Sequence, residues 1–172
     1  YRQHSKSDGK AGGGDMKEVV ARPGELVIAQ QDGIITSYAL GSSLGICLYD
    51  KEKRVGGYVN SILPENPGAQ QNAKYVGDAV MMLYHAMQRY AVHDHQLYAK
   101  IIGGAKLFLL PDEDRSKEVG RANIQAAYAA LTRLHIPIEG EDVGDMYGRT
   151  LHFHIETGIV YIETGNRYVY HI

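Results

Sequence analysis

The stretch that most constrains this chain is Ile34 to Asp50, Ile-Ile-Thr-Ser-Tyr-Ala-Leu-Gly-Ser-Ser-Leu-Gly-Ile-Cys-Leu-Tyr-Asp. Two apolar runs meet there at Gly41-Ser42-Ser43. Ile34 to Leu40 reads as one β-strand and Leu44 to Tyr49 as another. In the second, Leu44, Ile46 and Leu48 face one side, and Gly45, Cys47 and Tyr49 the other. A glycine between two strands lets the backbone turn tightly and leaves nearby amide N–H groups free to face a ligand. A small nucleophilic side chain after such a turn is a common way to present an attacking atom beside an oxyanion hole. A plain turn carries the same short pattern, so the rest of the chain decides.

Composition narrows the classes. The 172 residues suffice for one domain with a real core. A net charge of −2 argues against a broad nucleic-acid or anionic-membrane surface. No apolar run approaches the roughly 20 residues that span a bilayer, and no secretory leader is visible. Cys47 is the single cysteine, so no intrachain disulfide forms. The cytoplasm is therefore the expected compartment. The 13 tyrosines are expected mostly on strands and at surface edges, half-buried with the hydroxyl wet.

Residues 1–17 are polar and glycine-rich and read as a flexible arm; 18–172 read as a single domain. Leu26-Val-Ile-Ala29 is expected to form the first strand. Asp50 to Arg54 is a charged turn, and Val55 to Leu63 the partner strand of a hairpin. After a loop with two prolines, Asn72 is expected to cap a helix from Ala73 to Val92. Val76, Ala79, Leu83, Ala86, Met87 and Tyr90 form its apolar face. Leu97 to Ile102 is a strand running into Gly103-Gly104. Ser116 is expected to cap a second helix, from Lys117 to about Leu134. Ile138 to Val143 is a strand, and Thr150–Ile155, Ile159–Ile162 and Tyr168–Ile172 are three more, joined by two Glu-Thr-Gly turns. The order predicts an α+β domain with two main helices and mixed sheets. The strands outnumber what one helix layer can cover, so a second β layer is expected.

Five segments then fall in one order: Leu40-Gly-Ser-Ser43, the hairpin end Ile62-Leu-Pro64, Lys74-Tyr-x-x-Asp78-Ala-Val80, Ala99-Lys-Ile-x-Gly-Gly-Ala105, and Glu141-Asp-x-Gly144 before Ile155-Glu-Thr-Gly158. In these the chain, from about Glu25 to Glu163, resembles the CheD family of chemoreceptor glutamine deamidases of bacterial chemotaxis. The resemblance implies a compact three-layer α/β/β sandwich. It also implies a thiol amidohydrolase that converts receptor glutamines to glutamate. The implied partners are the cytoplasmic helices of methyl-accepting chemoreceptors and a CheC-type CheY-phosphate phosphatase. The implied machinery is a cysteine nucleophile, a histidine base and a threonine that orients the histidine.

All three positions differ here. The cysteine position is Ser43, the histidine position Asn60, and the threonine position Ser37. A thiol has an unperturbed pKa of about 8.5, which a neighbouring imidazole lowers. A serine hydroxyl needs a base in contact, and the Asn60 amide has no basic nitrogen. Cys47 falls on the strand after the turn, where buried packing is its expected role. His152 and His154 share a strand face, and His93 and His95 flank a helix end. Neither pair is accompanied by a ligand cluster, so neither metal nor cofactor is expected. The leading reading is a scaffold that has lost deamidase chemistry and acts by binding a receptor or phosphatase. The alternatives are an active deamidase using Ser43 with a base elsewhere, and a regulatory module unconnected with receptors.

Overall fold

The computed structural model of the chain describes residues 17–107, 114–166 and 168–172, and for 114–118 the backbone alone. Among the described residues, ten strands and two main helices follow in the order β1 (Glu18–Val20), β2 (Leu26–Gln30), β3 (Ile34–Leu40), β4 (Leu44–Asp50), β5 (Val55–Ser61), α1 (Val76–Gln88), β6 (Leu97–Gly103), α2 (Asp114–Arg133), β7 (Ile138–Val143), β8 (Arg149–His154), β9 (Val160–Thr164) and β10 (Val169–His171). The strands form two mixed sheets, β1-β3-β8-β9-β10 and β2-β5-β4-β6-β7. Each contains one parallel pair, β1 with β3 and β6 with β7. The expected three-layer α/β/β architecture is what the chain adopts.

Alternation along β4 builds both interfaces. Leu44, Ile46 and Leu48 join Val76, Leu83 and Met87 of α1 and Ala127 and Leu131 of α2 in one core. Cys47 and Tyr49 join Tyr58, Ile35, Leu151, Phe153 and Ile162 in a second core between the sheets. Every residue of β4 and β5 is buried. At Gly56 and Gly57 the layers press from both sides. A Cβ on Gly56 would lie 2.4 Å from Ile155 Cδ1, and one on Gly57 would lie 2.7 Å from Leu83 Cδ1.

Several boundaries differ from the sequence expectation. Leu26–Gln30 is the second strand, because Glu18–Val20 pairs in parallel with Ile34–Thr36. Helix α1 begins three residues later than expected, and Asn72 is not its cap. Ile62 and Leu63 donate to the Lys74 carbonyl, and Leu63 bridges Tyr75, so sheet-type bonds hold 73–75 out of the helix. The helix also stops early. Ala91 has a left-handed φ of 52°, and the His93 N–H donates to buried Asp50 Oδ2 at 3.2 Å. Helix α2 begins at Asp114, so Ser116 lies inside it. Residues 1–16 of the expected arm lie outside the described residues, as do 111–113 of the acidic loop.

Candidate functional site

Gly41-Ser42-Ser43 is more than a turn between neighbouring strands. It carries the chain from β3 in one sheet to β4, the central strand of the other. The exit from β3 is bulged. Ser37 pairs with Leu151 and Leu40 with Arg149, so β3 holds one residue more than its partner. Ala39 takes up the irregularity at φ 55°, a left-handed value unusual for a residue with a Cβ.

The carbonyls of this corner are all bound on one side. Gly41 O accepts from Ala105 N and Ser43 O from Gly104 N, each at 2.8 Å. Ser42 O accepts from Asn123 Nδ2 at 2.9 Å. Gly103 makes the close approach workable. Its φ is +112°, and a Cβ there would lie 2.4 Å from Ser43 O. Gly120 in α2 does the same for Gly104, whose carbonyl oxygen would be 2.5 Å from an added Cβ. The Ser42 and Ser43 amides have no hydrogen-bond partner among the described residues. Ser42 and Ser43 are half-buried at this corner.

The structure places Asn60 on β5 opposite Gly45, two positions beyond Ser43. Ser43 immediately precedes the paired residues, in which Leu44 stands opposite Ser61, so Asn60 lies one rung along the ladder from the corner. Asn60 is 2% exposed and faces the space between the sheets, as does Tyr58. Ser37 faces the same space from β3 and interacts with the Tyr58 hydroxyl. The contact falls short of hydrogen-bond geometry. Ser37 Oγ, Tyr58 OH and Asn60 Oδ1 are all buried without a hydrogen-bond partner. Burial pushes the Tyr58 pKa up, which outweighs the Ser37 hydroxyl's opposing effect, so Tyr58 stays a neutral phenol.

No described imidazole hydrogen-bonds Ser43. His152 is engaged elsewhere, on the uncovered face of the first sheet. Thr36 Oγ1 donates to Glu18 Oε1 at 2.5 Å and lies 3.0 Å from His152 Nδ1. With the Thr36 proton on Glu18, Nδ1–H is the donor to Thr36. His154 stacks edge-on with Tyr161, and burial followed by the charge of His152 lowers its pKa. No group of three metal-ligating side chains occurs among the described residues. Cys47 is 1% exposed, and burial pushes its thiol pKa up against the attraction of Lys100, so it packs rather than reacts. A cleft of about 320 Å³ lined by Lys51, His95, Tyr98, Glu139 and Thr157 lies at the far end of β4 from the corner.

Two supports of the corner carry no signal in the sequence. Asn123 reads as an ordinary polar position in an amphipathic helix. Arg149 reads as the residue before a strand. Yet Arg149 is fully buried and spans both sheets. Its Nε and Nη2 donate to Asp142 of β7 at 3.0 and 2.9 Å, and its Nη1 to the carbonyls of Gly144 and Tyr147. The Tyr170 hydroxyl of β10 also donates to Asp142. Burial raises the Asp142 pKa, but hydrogen bonds from Arg149 and Tyr170 outweigh it and hold the carboxyl below its ordinary range. Arg149 stands opposite Leu40, the last residue before the corner.

Residues 62–164 match the family described as CheD chemotactic sensory transduction. A Pyrococcus horikoshii protein named probable chemoreceptor glutamine deamidase CheD is 38% identical over 150 residues, 84% of this chain and 91% of that one. The Geobacter metallireducens protein named probable chemoreceptor glutamine deamidase CheD 2 is 36% identical over 139 residues, 78% and 86% of the two chains. A Clostridium botulinum protein of the CheD name is 33% identical over 153 residues, 87% and 94%. A solved structure, the Bacillus licheniformis hypothetical protein YfiH, aligns at 14% identity and a TM-score of 0.39, over 67% of this chain and 49% of that one. That likeness is too loose to carry any argument.

Proposed function

This chain belongs to the CheD family of chemotaxis proteins, and on that premise we propose that it binds glutamine-bearing chemoreceptor helices at the Gly41-Ser42-Ser43 corner without deamidating them. The observation that carries this reading is Asn60. It stands one rung along the ladder from the corner in the buried inter-sheet space, where a base would have to lie, and its amide cannot take a proton. The Ser43 hydroxyl has no other described partner to activate it. Attack by an unactivated hydroxyl on an amide leaves only orientation and amide N–H groups to work with. In well-studied triads those supply about 10³–10⁴ over water, far below a working enzyme.

Binding is supported by what surrounds the corner. Leu107, whose Cδ1 would touch a Cβ on Gly41, is exposed. So are Tyr38, three residues before Gly41, and Ile62 and Leu63, which follow β5. Met146 is exposed on the loop whose Asp145 carbonyl accepts from Lys106. An apolar rim of this kind suits the apolar stripe of a helix. A CheC-type phosphatase is the second candidate occupant of the same rim.

The test measures ammonia release from a receptor cytoplasmic fragment. The natural sequence should release none above background, yet retain the fragment in a pull-down. Ser43→Cys with Asn60→His and Ser37→Thr should gain turnover. Turnover by the natural sequence that disappears in Ser43→Ala would overturn the proposal. Retention of a phosphatase but no receptor would reassign the partner.

A further inference from the structure

We propose that Asn123 is a positioning residue that aims the Ser43 amide N–H at the carbonyl oxygen of a bound side-chain amide, completing an oxyanion hole with the Ser42 N–H. The inference rests on the corner being the amide-binding site, and it follows from peptide geometry. In a trans peptide the C=O and the next N–H point in opposite directions. Fixing Ser42 O therefore fixes Ser43 N–H, and fixing Gly41 O fixes Ser42 N–H. Ala105 N holds Gly41 O from the Gly103–Ala105 turn. Asn123 Nδ2 holds Ser42 O from α2, on the same side. Both freed N–H groups are turned away from that side, and neither has a described partner.

Asn123 fits a lock better than a packing residue. It is fully buried, and its two Nδ2 hydrogens are both used, one on Ser42 O and one on Ile62 O, each at 2.9 Å. It ties the nucleophile-position corner to the segment leaving the strand of Asn60. Its Oδ1 is buried with no partner. Turning the amide over would set Oδ1 against two carbonyl oxygens, so the orientation is fixed. The side chain is held for its two donors, with a buried acceptor left unsatisfied.

Two measurements test the lock. Crystal structures of the natural sequence and of Asn123→Ala and Asn123→Asp report the peptide plane directly. Asp keeps the shape and removes the donors. The 42–43 peptide should rotate or lose definition in both variants; an unchanged plane in either overturns the proposal. The second measurement adds the same substitutions to Ser43→Cys/Asn60→His/Ser37→Thr. Loss of one oxyanion donor should lower kcat about 10²–10³-fold with KM changed less than about threefold. An equal loss through KM alone, or full activity with Asn123→Asp, overturns it. Should the triple variant not turn over at all, the corner as the amide-binding site fails, receptor retention still tests the binding reading, and the crystallographic arm still decides the lock.

Discussion

Asp142→Asn is expected to destabilise this molecule strongly. It keeps the shape of the side chain and removes the charge facing Arg149. The guanidinium has a side-chain exposure of 0% and its carboxylate partner 12%, so water cannot replace what is lost. Breaking a buried pair by removing one partner costs about 3–5 kcal/mol, because an uncompensated charge stays inside. The carbonyls of Gly144 and Tyr147 still accept from Nη1, and Asp145 Oδ2 stays 3.7 Å from Nη2, which places the expected loss near the lower end, about 3 kcal/mol. For a domain of this length each kcal/mol moves Tm by about 2–4 °C, so a drop of about 6–12 °C is expected by calorimetry at pH 7. The pH dependence is a second signature. The Asp142 pKa is lowered in the folded state, so the pair's contribution is present above the ordinary value of 3.8 and is lost as pH falls through the folded value. The gap between the natural sequence and Asp142→Asn should be flat from pH 8 to 5 and close below about pH 4. A loss under about 1 kcal/mol, or a gap that persists into acid, would refute the claim that this ion pair clamps β7 to β8 behind the corner.

Ala39→Gly relieves a left-handed φ of 55° at the bulge and should raise stability by about 0.5–1 kcal/mol, after the unfolded-state entropy of glycine is subtracted; urea midpoints with an unchanged m-value check it. Tyr58→Phe removes a buried hydroxyl without a hydrogen-bond partner, so Tm should hold or rise by about 2–4 °C, and a clear fall would show that the hydroxyl is satisfied. Cys47 should resist a thiol reagent at pH 8 in the native protein and react fully in guanidinium, whereas the thiol of Ser43→Cys should react without denaturant.

Legibility in the sequence followed the locality of the cause. Strands β6 and β8 are visible because an apolar run and an alternation mark them within a few residues. Strand β1 is not, because Glu18-Val-Val20 is exposed throughout and becomes a strand only by pairing with residues 16 positions away. The start of α1 is misplaced for a similar reason. Asn72 is a good cap by type, but its Oδ1 accepts from Lys74 N, and the next residues are held by the end of β5. At the corner, residue types point to a nucleophile-shaped turn, and the family resemblance points to Asn60 as the position of a base. They do not show that the turn changes sheets. They also do not show that Asn123 and Arg149, 80 and 106 positions beyond Ser43 in a chain numbered to 172, support it from opposite layers.

The distribution of order around the corner bears on the proposed absence of deamidase chemistry. The residues proposed to line the site, Ser37, Ser43 and Asn60, carry short polar side chains with unmet hydrogen-bonding capacity. The groups that hold the corner in place are engaged, apart from the unpartnered Asn123 Oδ1. All three corner carbonyls are bound, Asn123 spends both donors, and Arg149 is matched by Asp142. Buried polar networks are costly unless satisfied, so a scaffold released from all demand at this corner would be expected to replace them with apolar residues. On the proposed reading, a support kept beside an absent thiol and imidazole is what selection for binding, rather than turnover, would leave. It also sets the order of repair. A thiol at 43 and an imidazole at 60 would enter a corner whose backbone is already aimed, whereas the same pair in an Asn123→Ala background would meet a peptide free to turn away.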